Sequence, residues 1–115
     1  MRLRTVYVCH PYRDAPDFNI KRMRKYCQYI TSQGHVPICT PLFFPQFACS
    51  EEDAAPMCIE LVHRCDELWI CSNRITPGMS AEINAAYASS LPVRHMHCDD
   101  LPWDYRLYAK DKPSE

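Results

Sequence analysis

The sequence predicts an α/β fold in which helices cover both faces of a parallel sheet. Short runs of β-branched and aromatic residues alternate along the chain with longer segments of helical periodicity. An alternation of strand and helix of this kind favours parallel pairing through right-handed crossovers. The 115 residues are enough for one hydrophobic core. We therefore predict a single flavodoxin-like (Rossmann-like) domain over residues 1–115, a three-layer sandwich with four or five strands in the order 2-1-3-4, and a C-terminal docking tail at residues 98–115.

The first half of the chain contains two predicted strands and one helix. Residues 5–9 form a β-branched and aromatic run that is typical of a strand, and residues 35–39 form a second one. The helix between them is predicted over residues 18–33, with Asp17 as its N-cap and Gly34 as its stop. Four apolar residues recur in it at helical spacing: Ile20, Met23, Cys27 and Ile30.

An aromatic segment at residues 42–47 follows the second strand. It is too apolar for an ordinary exposed loop, so we expect it to pack against the body of the domain or against a second subunit. Ser50 and Asp53 form a capping pattern at the start of the next helix. That helix is predicted to run to about Arg64, with Pro56 in its first turn, because only the first turn accommodates proline.

The second half of the chain repeats the strand and helix pattern. Residues 67–71 are predicted to form the third strand and residues 92–97 the fourth. Thr76 is expected to cap the helix between them, with Pro77 as its first residue. This arrangement makes every connection long enough for a parallel crossover.

Composition excludes several classes of function. The formal net charge of −1 gives no bulk attraction to nucleic acid or to an anionic membrane, so neither is expected as a partner. The chain has two glycines, Gly34 and Gly78, which excludes a Walker P-loop and a G-x-G-x-x-G dinucleotide loop. No apolar run approaches the length of a membrane span, and the first residues lack the apolar stretch of a signal peptide. We therefore expect a cytoplasmic protein without a cofactor.

Eight cysteines raise the question of disulfides or a metal. Most of them lie within apolar periodic segments, where free thiols behave as small hydrophobic side chains. Zinc is the alternative, since Cys58-x4-His63-x-Cys65 and His95-x-His97-Cys98 supply ligand types, but the chain contains no C-x2-C pair. We therefore expect core thiols and no metal site.

The predicted topology selects a ligand site before any motif is considered. In such sheets the ligand binds beyond the carboxyl ends of the strands, at the point where the strand order reverses. That point lies between the first and third strands, so residues 10–17 and 72–78 should line the site.

These loops and the helix that follows carry side chains suited to chemistry on an anionic substrate. Glu82 lies at the edge of an apolar helix stripe, and a half-buried carboxylate beside Tyr7 is a candidate nucleophile or general base. We expect the backbone N–H groups near Gly78, Met79 and Ser80 to point toward the same space, where they could hold a hydroxyl or phosphate oxygen. Arg13 could add a bidentate contact to a phosphate.

At these residues the sequence resembles the nucleoside 2-deoxyribosyltransferase superfamily, in particular its small phage and bacterial members. The similarity spans roughly residues 5–97 and includes Gly-Met-Ser-Ala-Glu, which ends at Glu82. It also includes a strand tyrosine followed six residues later by an arginine, Tyr7 and Arg13, as in 2′-deoxynucleoside 5′-phosphate N-hydrolases. The remaining similar stretches are residues 19–20, 33–38 and 64–69.

The resemblance implies cleavage or exchange of the N-glycosidic bond of a nucleoside or nucleotide. Glu82 would attack C1′ of the sugar and Tyr7 would orient Glu82. The resemblance further implies a homodimer or larger homo-oligomer. The substrate-binding residues it implies are His10, Arg13, Asn19, Gly78, Met79 and Ser80.

Two other functions fit the same residues. One is a non-catalytic nucleotide-binding or sensing module on the same fold. The other is an interaction protein that uses the aromatic segment at residues 42–47 and the aromatic residues of 103–108. Turnover of a nucleotide distinguishes the predicted enzyme from both.

Overall fold

A computed structural model describes residues 2–47 and 50–106. Its four strands form one parallel sheet in the order β2-β1-β3-β4, which confirms the predicted topology. The strands are β1 (Arg4–Cys9), β2 (His35–Ile38), β3 (Glu67–Ile70) and β4 (Val93–His95). The helices are α1 (Pro16–Ser32), α2 (Glu51–Arg64) and α3 (Pro77–Ala88).

The two faces of the sheet pack against different helices because side chains alternate along each strand. On β1, Val6 and Val8 join one core cluster with residues of α1, whereas Tyr7 and Cys9 join a second cluster with residues of α2 and α3. The central strands β1 and β3 are therefore buried on both sides, as expected for a parallel sheet, whereas the edge strands β2 and β4 are partly exposed. Tyr7 consequently points to the α2 and α3 side.

Two of the three helices begin as predicted. Ser50 caps α2 by accepting a hydrogen bond from the backbone N–H of Asp53 at 3.1 Å. Thr76 caps α3 by accepting one from the N–H of Met79 at 3.2 Å, with Pro77 at the first helical position. These caps satisfy N–H groups that a helix start otherwise leaves without a partner.

The start of α1 differs from the prediction. Asp17 is not the N-cap: the helix begins at Pro16 after Ala15, without a side-chain cap, and Asp17 lies in the first turn. Proline has the φ angle of a helix and no N–H to satisfy, so it starts the helix two residues earlier than predicted. The end is as expected, since Gly34 follows the helix with a φ of +82°, which favours glycine.

Pro56 also differs from the prediction, because it lies at the sixth position of α2 rather than in the first turn. Proline has no N–H for the carbonyl of Glu52, four residues earlier. Glu52 lies on the exposed side of the helix start, where water is available to that carbonyl. This exposure explains why the helix continues through the proline.

The aromatic segment after β2 forms two short 3₁₀ turns, Thr40–Leu42 and Phe44–Gln46. Phe44 is buried against the domain, as predicted, whereas the rings of Phe43 and Phe47 are exposed and pack on each other with centroids 5.0 Å apart. The segment therefore presents one aromatic side chain inward and two outward.

The described part of the predicted tail, residues 98–106, lies against the α1 side of the sheet. Leu101 is buried there, and the ring of Tyr105 packs edge-on against Tyr29 with centroids 5.7 Å apart. The predicted docking residues Leu107 and Tyr108 lie outside the described residues.

Within the described residues, seven cysteines are free thiols, and no group of three or more His, Cys, Asp or Glu side chains is arranged to hold a metal ion. No helix in that part of the chain is long and apolar enough to cross a membrane.

Candidate active site

A cavity of about 440 Å³ opens at the carboxyl edge of the sheet. Its size lies in the range of small-molecule sites. The loop after β1 and the start of α3 contribute to its wall, as the topology predicts, but residues 72–75 do not. The opposite wall comes from the segment after β2 and from α2, mainly through Thr40, Pro41, Phe44, Pro45, Ala54, Ala55, Cys58 and Ile59.

Glu82 lies on this cavity in the second turn of α3. Its Oε2 accepts a hydrogen bond from the phenol of Tyr7 at 2.8 Å, and its Oε1 lies 3.5 Å from the thiol of Cys9. Burial raises the pKa of the Glu82 carboxyl. Hydrogen bonds from Tyr7, Cys9 and Cys58 lower that pKa and so offset part of the effect of burial. No Lys or Arg among residues 2–47 and 50–106 forms an ion pair with Glu82. The site therefore holds a poorly solvated carboxylate with neutral donors around it.

Tyr7 is almost completely buried on β1. Burial raises the pKa of its phenol far above the ordinary value, and the charge of Glu82 raises it further. Tyr7 therefore stays protonated and remains a hydrogen-bond donor to the carboxylate. The structure brings together the two side chains that the sequence singles out for catalysis, although they are 75 positions apart.

His10 lines the cavity and is buried. Its Nδ1 lies 2.7 Å from the backbone carbonyl oxygen of Pro11, and its Nε2 has no hydrogen-bond partner in the described structure. Burial lowers the pKa of His10 to about 4, so the ring is neutral at physiological pH. Because Nδ1 must then donate to the carbonyl, Nε2 is an acceptor.

Arg13 lies at the mouth of the cavity, where its Nε is 3.9 Å from Oε2 of Glu51. Half of its side chain is exposed, so this weak contact leaves the guanidinium accessible to a ligand. A second ion pair joins Arg74, on the loop after β3, to Asp14, on the loop after β1. This pair ties the two loops that flank the mouth.

Asn19 does not line the cavity. It is buried on α1 and donates to the backbone carbonyl of Tyr12 at 3.0 Å and to the carboxylate of Asp14 at 2.8 Å. These bonds hold the loop after β1 in place. Asn19 thus contacts the loop that carries Arg13 rather than the cavity itself.

The start of α3 offers fewer free N–H groups than its sequence suggests. Gly78 and Met79 line the cavity, whereas Ser80 is exposed and does not. The N–H of Met79 is taken by the Thr76 hydroxyl and that of Ser80 by the Thr76 carbonyl. Among these three residues, only the N–H of Gly78 has no hydrogen bond within the described part of the chain.

The polar residues of the site that sequence reasoning missed include Thr40 and Cys58, which lie next to Tyr7. The Thr40 hydroxyl lies 3.3 Å from the Tyr7 oxygen, and the Cys58 thiol lies 3.3 Å from the Thr40 oxygen. Their one sequence signal is position: Thr40 follows a strand directly, and Cys58 lies on the helix after it. Neither position distinguishes a site residue from a core residue.

Two enzymes are among the solved structures of similar fold. One is a 2-desoxiribosyltransferase from Leishmania mexicana, with a TM-score of 0.63 and 16% identity over 84% of this chain, which corresponds to 65% of that one. The other is the CMP N-glycosidase BcmB from Clostridium botulinum, with a TM-score of 0.60 and 14% identity over 82% of this chain and 71% of that one.

Both structural neighbours confirm the flavodoxin-like α/β fold. The present chain corresponds to about two thirds of the length of the Leishmania protein. No curated protein matches the sequence. A family model described as a domain of unknown function, DUF7768, matches residues 4–96, and because this covers most of the chain, the protein belongs to that family.

Proposed function

We propose that this protein cleaves or exchanges the N-glycosidic bond of a deoxynucleoside or nucleotide, with Glu82 as the nucleophile. The observation that carries the proposal is the carboxylate of Glu82, which lies on the cavity with a 2.8 Å hydrogen bond from Tyr7. The two structural neighbours are named as a deoxyribosyltransferase and an N-glycosidase, which supports the same reaction class.

The chemistry follows the logic of a retaining glycosidase. One Glu82 oxygen attacks C1′ as the C–N bond breaks, and the bonding electrons leave with the base, which takes up a proton. The product on the enzyme is a glycosyl ester of Glu82. Water then releases the free sugar, or a second base takes the sugar and completes a transfer. The buried carboxylate stabilises the positive charge that develops on the sugar ring in both steps.

Substrate binding is proposed to use groups at the mouth and on the wall of the cavity. Arg13 and the free N–H of Gly78 are positioned for a 5′-phosphate or 5′-oxygen. His10 is proposed to shape the wall of the cavity rather than to bind the ligand through its acceptor nitrogen, because Nε2 is buried. Asn19 acts indirectly, by holding in place the loop that carries Arg13.

The proposal is tested by the release of free base from a panel of deoxynucleosides and their 5′-monophosphates, separated by chromatography. We expect Glu82→Gln to lose at least about 10³-fold in rate, because the amide cannot act as the nucleophile. Glu52→Gln, an exposed change on α2, serves as the matched control and should keep full activity. Equal rates for the two variants would overturn the proposal, and tight nucleotide binding without turnover would favour the non-catalytic module.

We also propose a cytoplasmic location and a homo-oligomeric assembly. The first rests on composition and the second on the family resemblance. No partner other than a small nucleoside or nucleotide is proposed.

A further inference from the structure

A line of hydrogen bonds runs behind Glu82, through side chains from three different elements. It begins at the Cys58 thiol on α2, 3.3 Å from the Thr40 hydroxyl, which lies 3.3 Å from the Tyr7 phenol on β1. The Tyr7 phenol then reaches Glu82 Oε2 on α3 at 2.8 Å. Thr40 is 4% exposed, so water cannot easily replace either of its partners.

The direction of each hydrogen bond follows from counting protons. Tyr7 has one O–H, and an ionised carboxylate can only accept, so the phenol proton points to Glu82. The oxygen of Tyr7 is then left to accept the proton of Thr40. The hydroxyl of Thr40 can in turn accept the proton of Cys58, a thiol that also lies close enough to Glu82 to donate to the carboxylate itself. Every donor therefore points toward the carboxylate.

A chain of donors aligned in one direction strengthens each bond within it, because each group polarises the next. The same alignment is lost when Glu82 is protonated, since the carboxyl no longer requires the phenol proton. The line therefore favours the ionised carboxylate over the neutral acid. It also fixes the rotation of the Tyr7 hydroxyl, which would otherwise be free to turn toward another acceptor.

We propose that Thr40 is a positioning residue for Glu82, acting through Tyr7. The inference rests on the proposed role of Glu82 as the nucleophile. The titratable groups that face Glu82 are Tyr7 and Cys9 on β1 and Cys58 on α2. The nearest charged groups on the cavity wall, Arg13, Asp14 and Glu51, belong to its mouth.

The test is a pH titration of the Glu82 carboxyl carbon by NMR in the ligand-free, ¹³C-glutamate-labelled protein. The Glu82 signal is assigned as the one missing from Glu82→Gln. We expect Thr40→Val, which keeps the side-chain shape but removes the hydroxyl, to move the titration midpoint to higher pH. Thr40→Ser, which keeps the hydroxyl, should titrate as the unmodified protein does.

The exposed Thr31→Val on α1 is the matched control and should leave the midpoint unchanged. An unchanged midpoint in Thr40→Val, or an equal shift in Thr40→Ser, would overturn the role of Thr40. If Thr40→Val does not fold, the comparison of Thr40→Ala with Thr40→Ser takes its place.

A kinetic measurement separates this inference from the proposed function. If the enzyme releases base, Thr40→Val should lower kcat about two- to fivefold with little change in KM, the size expected for one neutral hydrogen bond. If no substrate is turned over, the proposed function fails, whereas the NMR titration still decides whether Thr40 orders Tyr7 and Glu82.

Discussion

At the scale of single residues, the setting of Glu82 combines two opposing influences. Burial disfavours the charged carboxylate, whereas the phenol of Tyr7 and the thiol of Cys9 donate to it. A cation beside the carboxylate would stabilise the charge more strongly, but it would also hold the oxygens that attack the sugar in the proposed reaction. Neutral donors keep the anion in place without an ion pair, which suits a nucleophile.

His10 gives a prediction for stability against pH. Its pKa is about 4 in the folded protein because of burial, below the ordinary value of 6.5. Between these values the unfolded chain binds a proton that the folded protein does not, so the free energy of unfolding should fall as the pH falls from about 6.5 to 4. The contribution of this group is at most about 3 kcal/mol.

The measurement is urea unfolding at several pH values for the unmodified protein and for His10→Asn. Asparagine keeps an amide donor close to the position of Nδ1, and therefore the bond to the Pro11 carbonyl, but it does not titrate. We expect the variant to show a smaller loss of stability over this pH range. The same pH slope in both proteins would contradict the buried, neutral histidine.

At the scale of elements, the cap of α3 supports the position of the site. The Thr76 hydroxyl accepts from the N–H of Met79, and the backbone carbonyl of Thr76 accepts from Ser80. These bonds determine where α3 begins, and Glu82 follows one turn later. The direction in which the carboxylate points is therefore set together with the first turn of the helix.

We predict that Thr76→Ala lowers the free energy of unfolding by about 1 kcal/mol, the usual cost of losing an N-cap hydroxyl. Thr76→Ser should retain most of the stability, because it keeps the oxygen that accepts from Met79. Chemical denaturation of the three proteins measures both effects. A Thr76→Ser variant as unstable as Thr76→Ala would show that the methyl group, and not the cap, is responsible.

At the scale of the whole molecule, the two faces of the sheet have different surroundings. Its α1 face is closed by the helix and by Leu101 and Tyr105 of the C-terminal segment. Its α2 and α3 face carries the cavity, and beside the cavity Phe43 and Phe47 are 57% and 58% exposed. Aromatic side chains of this exposure, next to a site, are suited to contact between subunits.

We therefore predict that the combined change of Phe43 and Phe47 to serine shifts the proposed homo-oligomer toward the monomer. Light scattering coupled to size exclusion measures the mass at several concentrations. Tyr87→Ser, which removes a 64% exposed ring from α3, is the matched control and should keep the assembly of the unmodified protein. An unchanged mass in the double variant would exclude this surface as the subunit contact.

Local sequence patterns determined the order of strands and helices, the caps at Ser50 and Thr76, and the meeting of Tyr7 with Glu82. Each of these follows from a general rule that applies to a local sequence pattern. Alternation places Tyr7 on one face of β1, and helical spacing places Glu82 beside the apolar stripe of α3. The crossover rule for parallel strands then brings both to the same edge of the sheet.

The tertiary structure alone decided which residues complete the site. Thr40 and Cys58 reach Tyr7 because α2 and the segment after β2 pack over the carboxyl end of β1, and no periodicity encodes that approach. The structure also shows that Asn19 and Ser80 do not line the cavity. Hydrogen bonds between side chains distant in sequence depend on how whole elements are oriented, and that orientation follows from the packing of the core as a unit.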